Sequence, residues 1–155
     1  MKSQKAFTIV EIIFIIVIIS ILALVAIPRL SLTRDDAKIS IALNHLGTLI
    51  NDLSVYYTSK DKFSSNIKDM TFITQAKYTT PWDESIQKGI ISYYTLDDNG
   101  EKEACVDFYI SNADGNLTVK NVSDPMGTIC KDLQSIESYR KLLGQRLLGG
   151  NRIYF

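Results

Sequence analysis

An almost unbroken apolar run near the amino terminus constrains this chain more than any other feature. From Ile12 to Ile27 the only polar residue is Ser20, and the run extends back to Phe7 with Thr8 and Glu11 as interruptions. A helix from Phe7 to Ile27 would rise roughly 31 Å at about 1.5 Å per residue, which matches the hydrocarbon core of a bilayer. Because the run is apolar on every face, it is not the amphipathic kind that lies on a membrane surface. We therefore predict a membrane-spanning helix.

Three simpler explanations of this run compete with a specialised span. A secretory signal peptide has a shorter apolar stretch followed by a small-x-small cleavage site, and "ALVAIPRL" offers only a poor one. A buried core helix would need a domain that encloses it on all faces, and a chain of 155 residues is too short for that. A plain membrane anchor fits the length, but it explains neither Glu11 nor Pro28.

Glu11 separates a plain anchor from a specialised one. A charge at the centre of a bilayer costs about 2.5–3.5 kcal/mol on insertion scales, and less near one end. No Lys or Arg stands at the i±3 or i±4 positions, and Lys5 lies off the same helical face. A cut between Ala6 and Phe7 would create an ammonium group on Phe7, one helical turn from Glu11. The two charges could then neutralise each other within one subunit or between neighbours.

These residues resemble the cleavage and methylation motif of type IV prepilins and type II secretion pseudopilins. The leader "MKSQKA" is short and basic, and Ala6 stands where the family usually has glycine. Pro28 lies where family members commonly carry a proline. The remaining matches are three identical residues and two conservative replacements: Phe7, Thr8 and Glu11, then Ile9 and Val10.

The resemblance implies a route of processing and assembly. A prepilin peptidase would cut after Ala6 and methylate the amine of Phe7, and an inner-membrane assembly platform would transfer the subunit into a helical filament. Glu11 is expected to face the Phe7 amine of a neighbouring subunit, with the apolar helices forming the filament core. We predict a structural, non-enzymatic subunit. A minor, tip-initiating subunit and a membrane-anchored extracytoplasmic binding protein that does not polymerise are the alternatives.

The predicted organisation has four parts. They are a leader (residues 1–6), a transmembrane or filament-core helix (7–28), an amphipathic half of the same helix (29–58) and a globular head (59–155). The apolar stripe from Ile39 to Tyr57 predicts packing on the chain's own sheet, with a heptad coiled coil as the alternative. Pro28 predicts a bend or local loosening. A single pass of a bacterial inner membrane with an extracytoplasmic head follows from the resemblance, because the flanking basic residues are nearly balanced.

The head is predicted to contain a small antiparallel sheet. Three strand-like runs, 90–96, 104–110 and 117–122, are separated by the hairpin turns "DDNGEKE" and "SNADGN". Segment 58–85 predicts a connection with a short helical piece. Residues 130–148 predict a terminal helix that ends at Gly149-Gly150, before a short tail that could dock as a strand. The fold class is therefore α+β: a long amino-terminal helix packed on a small antiparallel sheet, with a carboxy-terminal helix.

The two cysteines are Cys105 and Cys130. Outside the cytoplasm they predict a disulfide, which would add about 3–4 kcal/mol in the chain-entropy model, with two structural thiols as the alternative. His45, the only histidine, lies slightly off the apolar stripe and predicts a solvated or packing role. No nucleophile motif, phosphate-binding loop or zinc-spaced cluster stands in the sequence, so no catalytic residue is predicted.

We predict no cofactor and no metal site. The turns "DDNGE" and "NADGN" offer oxygen ligands that suit calcium, but the EF-hand pattern fails because its twelfth position has no glutamate. The pair "TPWD" and "NADGN" is faintly similar to the calcium loop of major pseudopilins, which makes calcium the one ion to consider. The balance of 17 basic and 17 acidic residues, without a Lys/Arg cluster, gives no case for nucleic acid.

Overall fold

The structure, a computed structural model, describes residues 8–149, and its side-chain detail leaves out residues 27–33. The chain divides into two units, Met1–Ala37 and Lys38–Phe155. The predicted leader (residues 1–6) lies outside the described residues, and so does the predicted tail. Helix α1 spans Ile9–Lys60 and therefore includes described residues of both units.

Within the second unit, α1 is amphipathic, as its periodicity predicts. Its buried residues recur at three- and four-residue steps: Ile39, Ala42, Leu46, Leu49, Leu53 and Tyr57. The helix ends at Lys60 because Asp61 adopts a left-handed backbone conformation (φ 54°), while its N–H still donates to the Tyr57 carbonyl at 2.7 Å.

A five-stranded antiparallel sheet lies against this stripe. Its strands follow chain order: β1 Ala76–Asp83, β2 Lys88–Leu96, β3 Lys102–Ser111, β4 Asn116–Asn121 and β5 Gly144–Leu147. Phe108 lies opposite Ile91 on one side and Val119 on the other. These three side chains share one core with Leu46 and Leu49 of α1. The predicted α+β class, with the helix packed on an antiparallel sheet, is confirmed.

The predicted sheet was too small by two strands. Segment 58–85 contains the predicted short helical piece, a 3-10 helix at Ile67–Asp69, but it also contains β1. The sequence of β1 hides it because it is an edge strand. Only Ala76 is buried, and Pro81 lies where an edge strand tolerates the loss of an N–H donor.

The predicted carboxy-terminal helix is present, but it does not extend over all of residues 130–148. Helix α2 spans Thr128–Ser135, α3 spans Glu137–Arg140, and β5 follows. Ile136 separates the two helices because its backbone is extended (ψ 134°). Gly144 then adopts a φ of +113°, which a helix does not accommodate, and the chain pairs with β4 instead.

Candidate assembly and processing site

The start of α1 is built by a hydrogen bond between two residues of the predicted motif. The backbone N–H of Glu11 donates to Oγ1 of Thr8 at 3.3 Å, and the N–H of Ile12 donates to the Thr8 carbonyl at 3.2 Å. Thr8 is therefore the N-cap, and Thr-x-x-Glu is the sequence of a capping box. The motif match alone gives Thr8 no structural role, although the Thr-x-x-Glu spacing in the sequence carries the capping signal.

This geometry refines the interpretation of Glu11. As the third residue of α1, its carboxylate lies beside the positive end of the helix dipole, which is worth about 0.3–1 kcal/mol at an exposed site. The chain as written thus offers the carboxylate some stabilisation before any cleavage. The predicted partner, the amine of a processed Phe7, and the cleavage position Ala6 both lie outside the described residues.

The first unit contains one helix that is long and apolar enough to cross a membrane. The candidate span is Ile9–Ala26, 18 residues, and none of it is buried within the protein. Phe14 and Leu24 are 66% and 76% exposed. Ser20, the polar residue of this span besides Glu11, is hydrogen-bonded within the helix, since its Oγ donates to the Ile16 carbonyl at 2.7 Å. A surface of this kind is stable in a bilayer or against other apolar helices, and not in water.

Pro28, the other predicted assembly residue, lies inside α1 and two residues beyond the candidate span. A proline at an interior position removes one backbone hydrogen bond of the helix. The helix assignment nevertheless continues through it to Lys60. The predicted bend or loosening at this position stays a prediction.

Residues 1–27 match the family model described as the prokaryotic N-terminal methylation motif. This motif is the signature of type IV pilins and pseudopilins, so the recognition of that signature from the sequence is confirmed. With the apolar helix, its amphipathic continuation and the antiparallel sheet, the fold is α+β and pilin-like. No curated protein and no solved structure matches the chain.

In the second unit, a disulfide joins Cys105 of β3 to Cys130 of α2, with their Cα atoms 5.6 Å apart. Both residues are completely buried. Gln134, also on α2, donates from Nε2 to the Cys105 carbonyl at 3.2 Å. The covalent bond and the hydrogen bond together fix this short helix on the sheet, and Ile129 is buried beside it.

His45 has a packing role, one of the two roles predicted for it. Its Nδ1 lies 3.1 Å from the hydroxyl of Tyr93, and the two rings meet edge to face with centroids 6.1 Å apart. Burial raises the pKa of Tyr93 to about 12, because the phenolate would lose its hydration. The pair joins α1 to β2, a role for Tyr93 that sequence periodicity alone does not assign.

In the acidic turn between β2 and β3, two carboxylates accept hydrogen bonds from other groups of this chain. Oδ1 of Asp97 accepts hydrogen bonds from the N–H groups of Asn99 at 2.9 Å and Glu101 at 2.7 Å. Asp98 accepts from the hydroxyl and the N–H of Thr128, and these hydrogen bonds lower the pKa of the Asp98 carboxyl. The turn thereby holds the start of α2.

The segments "TPWD" and "NADGN" lie beside one concavity of about 460 Å³, which Asp83, Asp114 and Asn116 help to line. Asp83 accepts from the N–H groups of Ser85 and Ile86, at 2.8 and 3.3 Å. Among residues 8–149, no three or more His, Cys, Asp or Glu side chains group closely enough to hold a metal ion.

Proposed function

We propose that this protein is a structural subunit of a type IV pilus-like filament or of a type II secretion pseudopilus. The observation that carries the proposal is the methylation motif at residues 1–27, overlapping an apolar helix with no buried residue in its candidate span. The family that bears this motif is structural rather than enzymatic. In our proposal the chain has no catalytic role.

The physical logic is that one apolar surface serves two environments. The span Ile9–Ala26 is stable in a bilayer before assembly, and it would be equally stable against the same helix of neighbouring subunits. Transfer from membrane to filament then exchanges one apolar contact for another at small net cost. A plain anchor would not need this exchange.

Cleavage would create a positive charge on the new amino terminus, and this charge would direct the transfer of the subunit from the membrane into the filament. In our proposal a prepilin peptidase cuts after Ala6 and methylates the amine of Phe7, and an assembly platform in the inner membrane extracts the subunit. Glu11 then pairs with the Phe7 amine of a neighbouring subunit, because a carboxylate among apolar helices needs an opposite charge. The head stands outside the cytoplasm, where a buried disulfide such as Cys105–Cys130 persists.

Mass spectrometry of the amino-terminal peptide tests processing. The protein purified from membranes of producing cells should begin at an N-methylated Phe7. Substitution of Ala6→Gly should leave the cut intact, whereas Ala6→Arg should block it, because the residue before the cut must be small. A wild-type protein that keeps Met1 would overturn the proposed processing.

Electron microscopy of the sheared surface fraction tests assembly. Antibody-labelled filaments should appear for the wild type and for Ala6→Gly, and should be absent for Ala6→Arg. If processed wild-type protein stays entirely in the membrane fraction while the assembly machinery is present, the protein is a processed anchor and the filament role fails.

A further inference from the structure

The β1–β2 hairpin carries two surfaces of opposite chemistry at its opposite ends. At one end, where β1 begins and β2 finishes, lies an open groove of about 670 Å³. At the other end is the hairpin tip, Asp83–Lys88, which joins β1 to β2. Both surfaces belong to the second unit, and each includes residues of β1 and β2.

The groove has an apolar floor and a basic rim, and we call it the lysine-rimmed groove. Its floor includes the buried Ala42, Tyr93 and Ile129, and its margins include Ile41 and Leu96, which are 54% and 50% exposed. The rim is formed by three exposed lysines: Lys38, Lys77 and Lys102. The described residues that line it include no Asp or Glu.

Two carboxylates near this positive rim, those of Asp98 and Glu103, affect it unequally. Asp98 attracts Lys38, so Lys38 contributes less to the field of the groove. Glu103 faces the other way, since its carboxylate accepts the backbone N–H groups of Met126 and Gly127. The basic character of the groove therefore depends mainly on Lys77 and Lys102.

The hairpin tip carries the opposite charge to the groove, together with an exposed apolar side chain, on a hydrogen-bonded turn. Asp83 and Glu84 are exposed acids that outnumber Lys88, the register partner of Asp83, so the tip has one net negative charge; Ile86 is an apolar side chain that is 57% exposed. The Asp83 carboxylate holds the Ser85 and Ile86 N–H groups, and Gln87 has a left-handed backbone (φ 50°), so the turn is fixed before any contact forms. A fixed turn loses little conformational entropy on binding.

We propose that in the filament the acidic hairpin tip of one subunit docks into the lysine-rimmed groove of the next. Asp83 and Glu84 meet Lys77 and Lys102, and Ile86 enters between the apolar margins. Because the two surfaces are different patches of one chain, the contact is heterologous, and when its rotation does not close a ring it repeats into an open helix. The inference rests on the proposed filament function and specifies one head-to-head contact within it.

A charge-swap series in producing cells tests the pairing. Lys77→Glu with Lys102→Glu should reduce the amount of sheared filament at least fivefold, and so should Asp83→Lys with Glu84→Lys. The protein with all four substitutions should give at least threefold more filament than either double variant, because each reversed charge regains an opposite partner, although Asp83→Lys also removes the acceptor of the Ser85 and Ile86 N–H groups. The matched control, Lys62→Glu with Lys68→Glu, makes the same charge change at exposed sites outside the groove and should assemble normally.

A second pair of variants tests the apolar part of the contact without altering charge. Ile86→Ser should lower filament yield at least threefold, while Phe72→Ser, at a side chain that is 96% exposed and distant in sequence from the tip, should not. A bismaleimide cross-link between Ser85→Cys at the tip and Thr74→Cys at the groove, both exposed and outside the proposed charge and apolar contacts, should give a ladder of multimers in sheared filaments.

The outcomes separate this inference from the proposed function. If the wild type forms no filament at all, the proposed function fails. If the wild type forms filaments but the four-fold variant does not recover, or the cross-link yields monomers only, the docking contact is overturned. If the lysine variants lose binding to phosphatidylglycerol vesicles while the tip variants assemble normally, the groove takes a lipid headgroup and the inference is also overturned.

Discussion

The backbone N–H of Glu11 donates to Oγ1 of Thr8 at 3.3 Å, so the glutamate that we propose for assembly also occupies the third position after a helix N-cap. The two roles use different atoms. The cap needs the Thr8 oxygen and the Glu11 backbone, whereas the proposed subunit pairing would need the Glu11 carboxylate. Substitutions can therefore separate helix initiation from assembly.

Removal of the carboxylate should impair assembly and leave insertion intact. Glu11→Leu deletes a charge that is disfavoured in a bilayer, by up to about 2.5–3.5 kcal/mol at its centre, so insertion should be unchanged or improved. Glu11→Gln keeps the shape and loses the charge, and should assemble as poorly as Glu11→Leu. Quantitative blots of membrane and sheared fractions measure both steps. Equal filament yield from all three proteins would show that assembly does not need the Glu11 carboxylate.

Loss of the cap should loosen the first turn of α1. Thr8→Val removes the oxygen that accepts the Glu11 N–H, at a cost of about 1 kcal/mol, whereas Thr8→Ser keeps it. Hydrogen exchange of the Glu11 amide in detergent should speed up about fivefold in Thr8→Val, the factor that corresponds to 1 kcal/mol, and stay near wild type in Thr8→Ser. Identical exchange in the two variants would mean that this hydrogen bond does not hold the helix start.

Long periodic segments of this chain could be predicted from the sequence, and short edge elements could not. The stripe of α1 repeats over many turns, and β2, β3 and β4 each bury several residues, such as Phe108 of β3. In contrast, β1 buries only Ala76 of its eight residues, so it lacks an alternating pattern. The four residues of β5 lie in a stretch whose apolar spacing suits a helix. The backbone of Gly144, with φ of +113°, excludes a helix at this position.

The candidate site was predictable in its chemistry and less so in its geometry. A charge in an apolar run is visible in any sequence, so Glu11 could be singled out without a structure. The contact between His45 and Tyr93 joins residues on α1 and β2, and no local pattern encodes such a separation. The same holds for the hydrogen bonds from Thr128 to Asp98, which connect a turn to a helix start.

The disulfide should stabilise the head substantially. Cys105→Ser with Cys130→Ser should lower the free energy of unfolding by about 3–4 kcal/mol, since the unfolded chain regains the entropy of an open loop. Urea titration of the full chain in detergent, followed by fluorescence of Trp82, measures the change. A reductant should destabilise the wild type and leave the double serine variant unaffected. An unchanged unfolding midpoint in the reduced wild type would contradict the prediction.

Alkaline pH should destabilise the head through its buried tyrosines. Burial raises the pKa of Tyr93 from 10.0 to about 12, and the pKa values of Tyr78 and Tyr139 also rise, mainly through burial. Above pH 10.0 the unfolded chain releases these protons before the folded chain does, so stability is full below that pH and falls as pH approaches 12.

Tyr93→Phe isolates the contribution of one residue to this pH dependence. The variant should lose about 0.5–1.5 kcal/mol at neutral pH, since the hydrogen bond to His45 is absent, but its stability should decline less steeply above pH 10.0. Tyr109→Phe, at a side chain that is 40% exposed, is the matched control and should follow the wild-type curve. Urea midpoints at several pH values give both slopes. Parallel curves for wild type and Tyr93→Phe would contradict this assignment.

Two turn glycines should respond differently to alanine. Gly115 and Gly100 both have left-handed backbones, with φ of +58° and +83°, so alanine costs about 1–2 kcal/mol at either site. At Gly115 the added Cβ would also lie 2.8 Å from the Gly149 nitrogen and 2.8 Å from the Tyr57 hydroxyl, whereas at Gly100 it meets no atom within 4 Å. Gly115→Ala should therefore lose about 1–3 kcal/mol more than Gly100→Ala in urea unfolding, because Leu148 donates to the Gly115 carbonyl and holds β5 against the turn. Equal losses would mean that this end of β5 moves aside freely.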